Sequence, residues 1–354
     1  MIRVSKIRKV AIVQSSSRPG RVAIILLATI LLSAISCTDH EKDGKHEKRQ
    51  AQNQQPRVRD WNRFPAVVER TTRAEVIALG DIHGGYERLE NLLYTGGLIR
   101  RDQQSAVGYS WSGGNRMLVC TGDMIDKGDR SLDVIDLMMA LETQAPASGG
   151  EIVITLGNHE AEFLANPENK KVREFRSELQ SRGIAPETLP KGQEPYGEWM
   201  MNRPFAAKVN DWFFAHGGNT SGKTIAELAA GFRRAVDQSD WGASLIIGDD
   251  SLLEAQKWWE EDGKSDALLE RYLAALGAKH IVFGHDPGAF HSKGEIGQEK
   301  DGRIFLIDVG MSPAIDYSKG ALLLINVDNN EAVATSLDAD GRKKELWRAE
   351  SSSR

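Results

Sequence analysis

The chain has 354 residues, of which 27% are charged and 7% aromatic, with a formal net charge of −5 and only two cysteines. That is an ordinary globular composition, long enough to bury a full core and too poor in cysteine for a disulfide framework. The net acidity also argues against nucleic acid as a partner.

The first segment reads as a leader and not as part of a fold. Arg3, Lys6, Arg8, Lys9, Arg18 and Arg21 form a basic lead-in, followed by an apolar run of 14 residues from Val22 to Ile35. As a helix that run spans about 21 Å, short of the hydrocarbon core of about 30 Å, so a secretory signal over residues 1–36 is expected. It ends in Leu32-Ser33-Ala34-Ile35-Ser36-Cys37, which resembles a bacterial lipoprotein cleavage box with Cys37 as the lipidated residue. Residues 37–60 are Glu, Lys, Gln, Asn and His with almost nothing apolar, a composition expected of a solvated tether. Without the six basic residues of the leader the formal charge falls to about −11. The expected setting is an extracytoplasmic lipoprotein held to a membrane, with a catalytic domain over residues 61–350.

Within that domain short apolar strands alternate with helical runs. Val76–Leu79 reads as a strand, Tyr86–Leu93 as a helix closed by Gly96 and Gly97, and Arg100–Asn115 as an excursion or hairpin. Val119–Thr121 ends the second strand, a helix follows over Leu132–Leu141, and Glu151–Leu156 is the third strand. Ala161–Arg203 is irregular and is expected to be a helical cap insertion, because it follows directly on a polar strand-end loop. Strand character returns from Val209 and Trp212–Ala215. Helices are expected over Thr224–Val236, Ser251–Trp259 and Asp266–Leu276, with a strand at His280–Phe283. Arg303–Asp308, Gly320–Val327 and Glu331–Ser336 read as closing strands, joined by turns such as Asp328–Asn330. The order implies a mixed-sheet α/β sandwich.

Five of the strands end in a glycine followed by polar residues. These are Gly80-Asp81-Ile82-His83-Gly84, Gly122-Asp123-Met124-Ile125-Asp126-Lys127-Gly128, Gly157-Asn158-His159-Glu160, His216-Gly217-Gly218 and Gly284-His285-Asp286. Six histidines lie beyond the tether and four of them fall in these motifs, while His280 and His291 read as ordinary core or surface residues. Asp81, His83, Asp123, Asn158, His216 and His285 form a mixed oxygen and nitrogen set that suits manganese, iron or zinc better than calcium. Two such ions about 3.5–4 Å apart need a shared ligand, and Asp123 is placed to be it. Asp81 and His83 then complete one ion, and Asn158, His216 and His285 the other. A bound hydroxide would be the nucleophile toward phosphorus. His159 would face the phosphate as proton donor with Asp126 holding it, and Lys127 and Arg130 are the cations available for phosphate oxygens.

In this order the motifs resemble those of the calcineurin-like metallophosphoesterase superfamily, and within it the bacterial and Shewanella-like phosphoprotein phosphatases, which share the closing Asp308-Val309-Gly310-Met311-Ser312. The resemblance covers roughly Glu75 to Val327. It implies a four-layer α/β/β/α sandwich, a dinuclear centre on the six ligands above, and His159 with Asp126 as the acid pair. The chain departs from the pattern where Lys127 replaces a phosphate-gripping arginine, a point charge in place of a fork. A second such arginine has no match in Ser251–Trp259, which leaves Arg130 or Lys257 as substitutes. The expected activity is hydrolysis of phosphomonoesters, phosphoprotein included. The alternatives are hydrolysis of a nucleotide or dinucleoside polyphosphate, and a surface-anchored binding protein without turnover.

Overall fold

Runs such as Val76-Ile77-Ala78-Leu79 and Met117-Leu118-Val119-Cys120 are buried along their whole length, so both faces of their sheet are covered. The computed structural model describes residues 59–193, 195–260, 265–328 and 331–349. The strands are β1 (Val67–Arg70), β2 (Val76–Leu79), β3 (Ile99–Arg101), β4 (Tyr109–Trp111), β5 (Met117–Cys120), β6 (Glu151–Ile154) and β7 (Ala206–Val209). They continue as β8 (Trp212–Phe214), β9 (His280–Phe283), β10 (Gly297–Glu299), β11 (Ile304–Leu306), β12 (Ala321–Asp328), β13 (Glu331–Asp338) and β14 (Lys343–Arg348). The helices are α1 (Tyr86–Thr95), α2 (Ser131–Gln144), α3 (Asn158–Ala165), α4 (Arg173–Ser181), α5 (Pro195–Met201), α6 (Ile225–Asp237), α7 (Ser244–Ile247) and α8 (Ser265–Leu276).

Two mixed six-stranded sheets carry the fold, in the orders β14-β13-β12-β2-β5-β6 and β1-β7-β8-β9-β11-β10. With helices outside them, this is the expected α/β/β/α sandwich. In the first sheet β2, β5 and β6 run parallel in register, Val76 beside Met117 and Met117 beside Glu151. Their carboxyl ends therefore release three loops side by side, the place where open α/β sheets put their ligands. In the second sheet β8 and β9 are also parallel, so the loops after Phe214 and Phe283 leave at one end too. The carboxyl ends of the two sheets are tied together where the His216 ring nitrogen Nδ1 meets the Thr121 carbonyl at 3.1 Å.

Most expected elements are present, with several differences. Ser251–Trp259 is a run of turns and not a helix. The Leu252 carbonyl accepts from both Gly217 N and Gly218 N, at 2.8 and 3.1 Å, and the Trp258 indole donates to the Gly217 carbonyl at 2.8 Å. The segment thus gives a carbonyl and an indole to the His216 loop, while Ala255 N still bonds the Ser251 carbonyl at 3.2 Å. β1, β10 and β14 are strands, and α7 a short helix, that the sequence pattern does not reveal. β1 has only four residues, and β14 is an edge strand rich in exposed charge. Residues 161–203 are helical as expected, through the end of α3, α4 and α5 and two 3₁₀ turns, Lys170–Val172 and Pro186–Lys191. Finally, Arg59, which composition assigns to the tether, is buried, and its guanidinium donates to the carbonyls of Phe64, Pro65, Met201, Asn202 and Arg203. The leader, Cys37, the tether through Val58 and the Asn329–Asn330 turn lie outside the described residues.

Candidate metal centre

The loops that leave β2, β5 and β9 share an uncommon backbone. Asp81, His83, Asp123, Asp126, Lys127 and His285 all have positive φ, between 48° and 73°. For residues with a Cβ this left-handed region costs on the order of 1–3 kcal/mol each, and it persists only where the surroundings fix it. Here the loops hold one another. Asp81 N donates to the Gly122 carbonyl at 3.1 Å, His83 N to the Asp123 carbonyl at 2.9 Å, and Gly84 N to the Met124 carbonyl at 2.8 Å. Gly122, at φ 91°, has no room for a side chain, since a Cβ there would stand 2.1 Å from Gly157 N.

A single carboxylate binds four more amides. Glu160, fully buried in the first turn of α3, accepts through Oε2 from Asp123 N and Gly157 N, both at 2.9 Å, and through Oε1 from Met124 N and Ile125 N, at 2.8 and 3.3 Å. Burial and then Asp123 raise its pKa, against the pull of those amides. Glu160 closes the Gly157-Asn158-His159-Glu160 motif, and its residue type alone gives it no role there. Its place three residues after Gly157 is where a helix's own first-turn acid reaches back to the backbone.

The six expected ligands converge. Asp123 Oδ2 lies 3.3 Å from His216 Nε2 and 3.4 Å from His83 Nε2. Asn158 Oδ1 lies 2.8 Å from His216 Nε2 and 3.2 Å from His285 Nδ1. Asp81 stays with His285 through the latter's backbone N–H, which donates to Oδ1 at 2.9 Å. Two groups have ligand atoms within 4.8 Å of one another, His83 with Asp123 and His159, and Asp81 with Asp123 and His216; Asp123 belongs to both. The Ile125 and Thr121 carbonyls accept from Nδ1 of His83 and of His216, at 2.9 and 3.1 Å, so each ring turns its Nε2 inward toward Asp123.

This donor set fits a divalent cation. Asp81 Oδ2 is buried with no hydrogen-bond partner, an orphan that a cation would satisfy. Burial, then Asp308, pushes Asp81 well above the carboxylate range. Burial opposes ionisation of Asp123 too, but His216 and His159 outweigh it and hold Asp123 well below that range. The same exchange takes His216 up to about 9 against its own burial, while burial pushes His83 well down and His285 to about 3. Asp308, of the closing motif, is a further buried carboxyl at this place; burial raises it to about 6, and it accepts from Gly310 N at 2.8 Å.

His159 stands beside the cluster. Its Nδ1 is 3.3 Å from Asp126 Oδ2, and its Nε2 is 4.0 Å from Asp123 Oδ2, the longest of the histidine distances to that oxygen. Burial lowers its pKa, but Asp123 and Asp126 outweigh this and raise it. Asp126 is fixed from its other oxygen by the α4 amide Phe175 N at 2.9 Å, and α4 returns Glu178, whose carboxylate accepts from Ser131 N and Leu132 N at 2.8 and 2.9 Å.

The two expected cations part company. Lys127 Nζ lies in the cluster, 3.1 Å from His83 Nε2. Arg130 is committed elsewhere: it lies over the Tyr86 ring at 4.2 Å, binds Asp133 at 2.6 Å, and pairs with Glu87. A phosphate role for Arg130 would require it to leave all three. Lys257 is exposed, and its charge acts on Asp286. His280 is a core residue as expected, stacked on Trp212 with Nδ1 2.6 Å from the Gly302 carbonyl.

Residues 74–289 match the family model described as calcineurin-like phosphoesterase. Shewanella-like protein phosphatase 1 of Plasmodium berghei is 26% identical over 76% of this chain and 76% of its own length. Shewanella-like protein phosphatase 2 of Arabidopsis thaliana is 25% identical over 74% of this chain and 77% of its own. Among solved structures, a cold-active protein tyrosine phosphatase of a Shewanella species superposes with a TM-score of 0.63 at 23% identity, covering 78% of this chain and 82% of that one.

Proposed function

The chain belongs to the calcineurin-like phosphoesterase family and is a metal-dependent phosphatase, and from that premise we propose that it hydrolyses phosphomonoesters carried on protein side chains. One observation carries the reading: the buried Asp123 carboxylate sits between His83 and His216 with the His159–Asp126 pair alongside. Asp81, His83 and Asp123 would hold one divalent ion, and Asp123, Asn158, His216 and His285 a second. When bound, such ions supply positive charge to phosphoryl oxygens and lower the pKa of water. Manganese, iron and zinc all suit the donors.

The chain's own groups do the rest. Asp126 accepts from Nδ1 of His159, and so keeps the ring's proton-bearing Nε2 turned toward the cluster. From there His159 donates to the leaving oxygen of the substrate, which would otherwise depart as an alkoxide or phenoxide. Lys127 offers its ammonium to the phosphate as a mobile charge. The protein substrate is supported by the likeness to two protein phosphatases, and no observation of the site favours a polyphosphate. The intact acid pair counts against a binding protein without turnover.

The test is turnover of a phosphopeptide and of a dinucleoside polyphosphate side by side, with added Mn²⁺, for wild type and His159→Ala. The phosphopeptide should give the higher kcat/KM, and His159→Ala should lose about 10²–10⁴-fold in kcat. A preference for the polyphosphate, or undiminished turnover without His159, overturns the reading. The proposal extends to location, with Cys37 as the lipid-bearing residue of an extracytoplasmic protein. Among the described residues no helix is long and apolar enough to cross a membrane. Incorporation of a labelled fatty acid in the wild type and its loss in Cys37→Ala would support the anchor, and equal labelling would dismiss it.

A further inference from the structure

We propose that Glu254 is a positioning residue that fixes which end of the Asn158 amide faces the metal centre, and that residues 169–175 hold it there through Lys171. The inference rests on the metal-dependent reading above. Asn158 opens α3, and its side chain is buried. Its two amide ends meet different neighbours. Oδ1 faces Nε2 of His216 at 2.8 Å and Nδ1 of His285 at 3.2 Å, while Nδ2 donates to Glu254 Oε1 at 3.2 Å.

A carboxylate offers only acceptor oxygens, so it tolerates the NH₂ end of the amide and repels the carbonyl end. A divalent cation has the opposite demand, since it takes donation from Oδ1 and nothing from a protonated nitrogen. With Glu254 on one side, the ligating orientation is selected before any ion arrives. Glu254 comes from the turns of 251–259, ninety-six positions away in the chain, and Ser251 Oγ, which accepts from Glu254 N at 3.0 Å, holds its backbone.

Lys171 balances the charge. Its Nζ donates to Glu254 Oε1 at 3.0 Å and to Glu162 Oε1 at 2.8 Å, and Lys171 N is held by Asn169 Oδ1 at 3.0 Å. The same Glu254 oxygen thus receives both the lysine and the amide. A few residues on, Phe175 N reaches Asp126. One short stretch therefore touches both Asn158, through Glu254, and His159, through Asp126. These are adjacent residues with different tasks.

The test is calorimetric titration of Mn²⁺ into the chelator-stripped full chain, for wild type, Glu254→Gln and Glu254→Ala. Loss of a ligand's hydrogen-bond partner typically weakens metal binding on the order of 10–100-fold, and Glu254→Ala should do so. Glu254→Gln keeps an acceptor oxygen for both Lys171 and Asn158, and should stay within about threefold of wild type. A residue that merely packs would shift the thermal midpoint in both variants and leave the affinity alone. The second arm places Glu254→Ala in an Asn158→Asp background, where either carboxylate oxygen can ligate and orientation no longer matters. There the loss should vanish. Wild-type affinity in Glu254→Ala, a Gln variant as weak as Ala, or an undiminished loss in the Asp background would each overturn the inference. Absence of Mn²⁺ binding by the wild type would instead overturn the metal reading itself, and this inference with it.

Discussion

Replacing Glu160 by Gln removes one oxygen from a side chain that serves four backbone amides. Either way round, the new NH₂ faces two donors: Asp123 N and Gly157 N if it takes the place of Oε2, Met124 N and Ile125 N if it takes that of Oε1. Each buried amide left without a partner costs about 1–3 kcal/mol, so two of them cost about 2–6. Part of that returns, because burial and the neighbouring Asp123 make the Glu160 charge unfavourable, and a neutral side chain escapes both. A net loss of about 2–4 kcal/mol is expected, roughly 5–10 °C in Tm for a domain of this size. The same amides hold Asp123 and the left-handed loop around it, so Mn²⁺ affinity should fall together with Tm, on the order of 10–100-fold. Scanning calorimetry of the metal-free variant and titration with Mn²⁺ read the two effects separately. A Tm within about 1 °C of wild type would refute the view that this carboxylate keeps the strained loops in place.

Three further outcomes are expected. Asp126→Asn should lower kcat by about 10–10²-fold with a smaller change in KM; because Asp126 helps to raise the pKa of His159, the loss of activity at alkaline pH should begin at a lower pH in the variant. His280 is held by its surroundings down to about 4, against about 6.5 in an unfolded chain, so the unfolded state binds the extra proton between those values. Its contribution is therefore present above about pH 6.5 and is lost as pH falls toward 4, by up to about 3 kcal/mol, and His280→Phe should flatten that part of a stability curve measured by urea unfolding. A chain begun at Trp61 should unfold at a lower temperature than one begun at Val58, since five carbonyls lose the Arg59 guanidinium; equal midpoints would show that its burial contributes nothing.

The metal cluster was legible because its ligands sit where strand meets glycine, a local pattern that sheet topology turns into a common place. The carboxyl ends of five short strands in two sheets suffice to gather six side chains, and the parallel registers of β2 with β5 and β6, and of β8 with β9, do the gathering. What sequence could not carry are groups recruited from afar or through the backbone. Glu254 reads as one acid among many until Asn158 is seen beside it. Phe175 contributes an amide that no side-chain pattern encodes. Ser251–Trp259 has helical periodicity, yet the Leu252 carbonyl is claimed by the glycines after His216, so tertiary demand overrides local preference. Arg59 was hidden for the opposite reason: it lies in a stretch whose polarity suggests water, while its own charge is directed into the fold. Arg130 looked free on paper and is bound by two acids and a ring.

The exchange between α4 and α2, in which an amide goes one way to Asp126 and the Glu178 carboxylate comes back to Ser131 and Leu132, makes the insertion hard to transplant. A variant with residues 166–203 excised would keep every metal donor and still lose the Phe175 amide behind Asp126. Engineers wishing to alter what such an enzyme accepts would do better to vary the exposed side chains of α4 and leave its backbone ends alone.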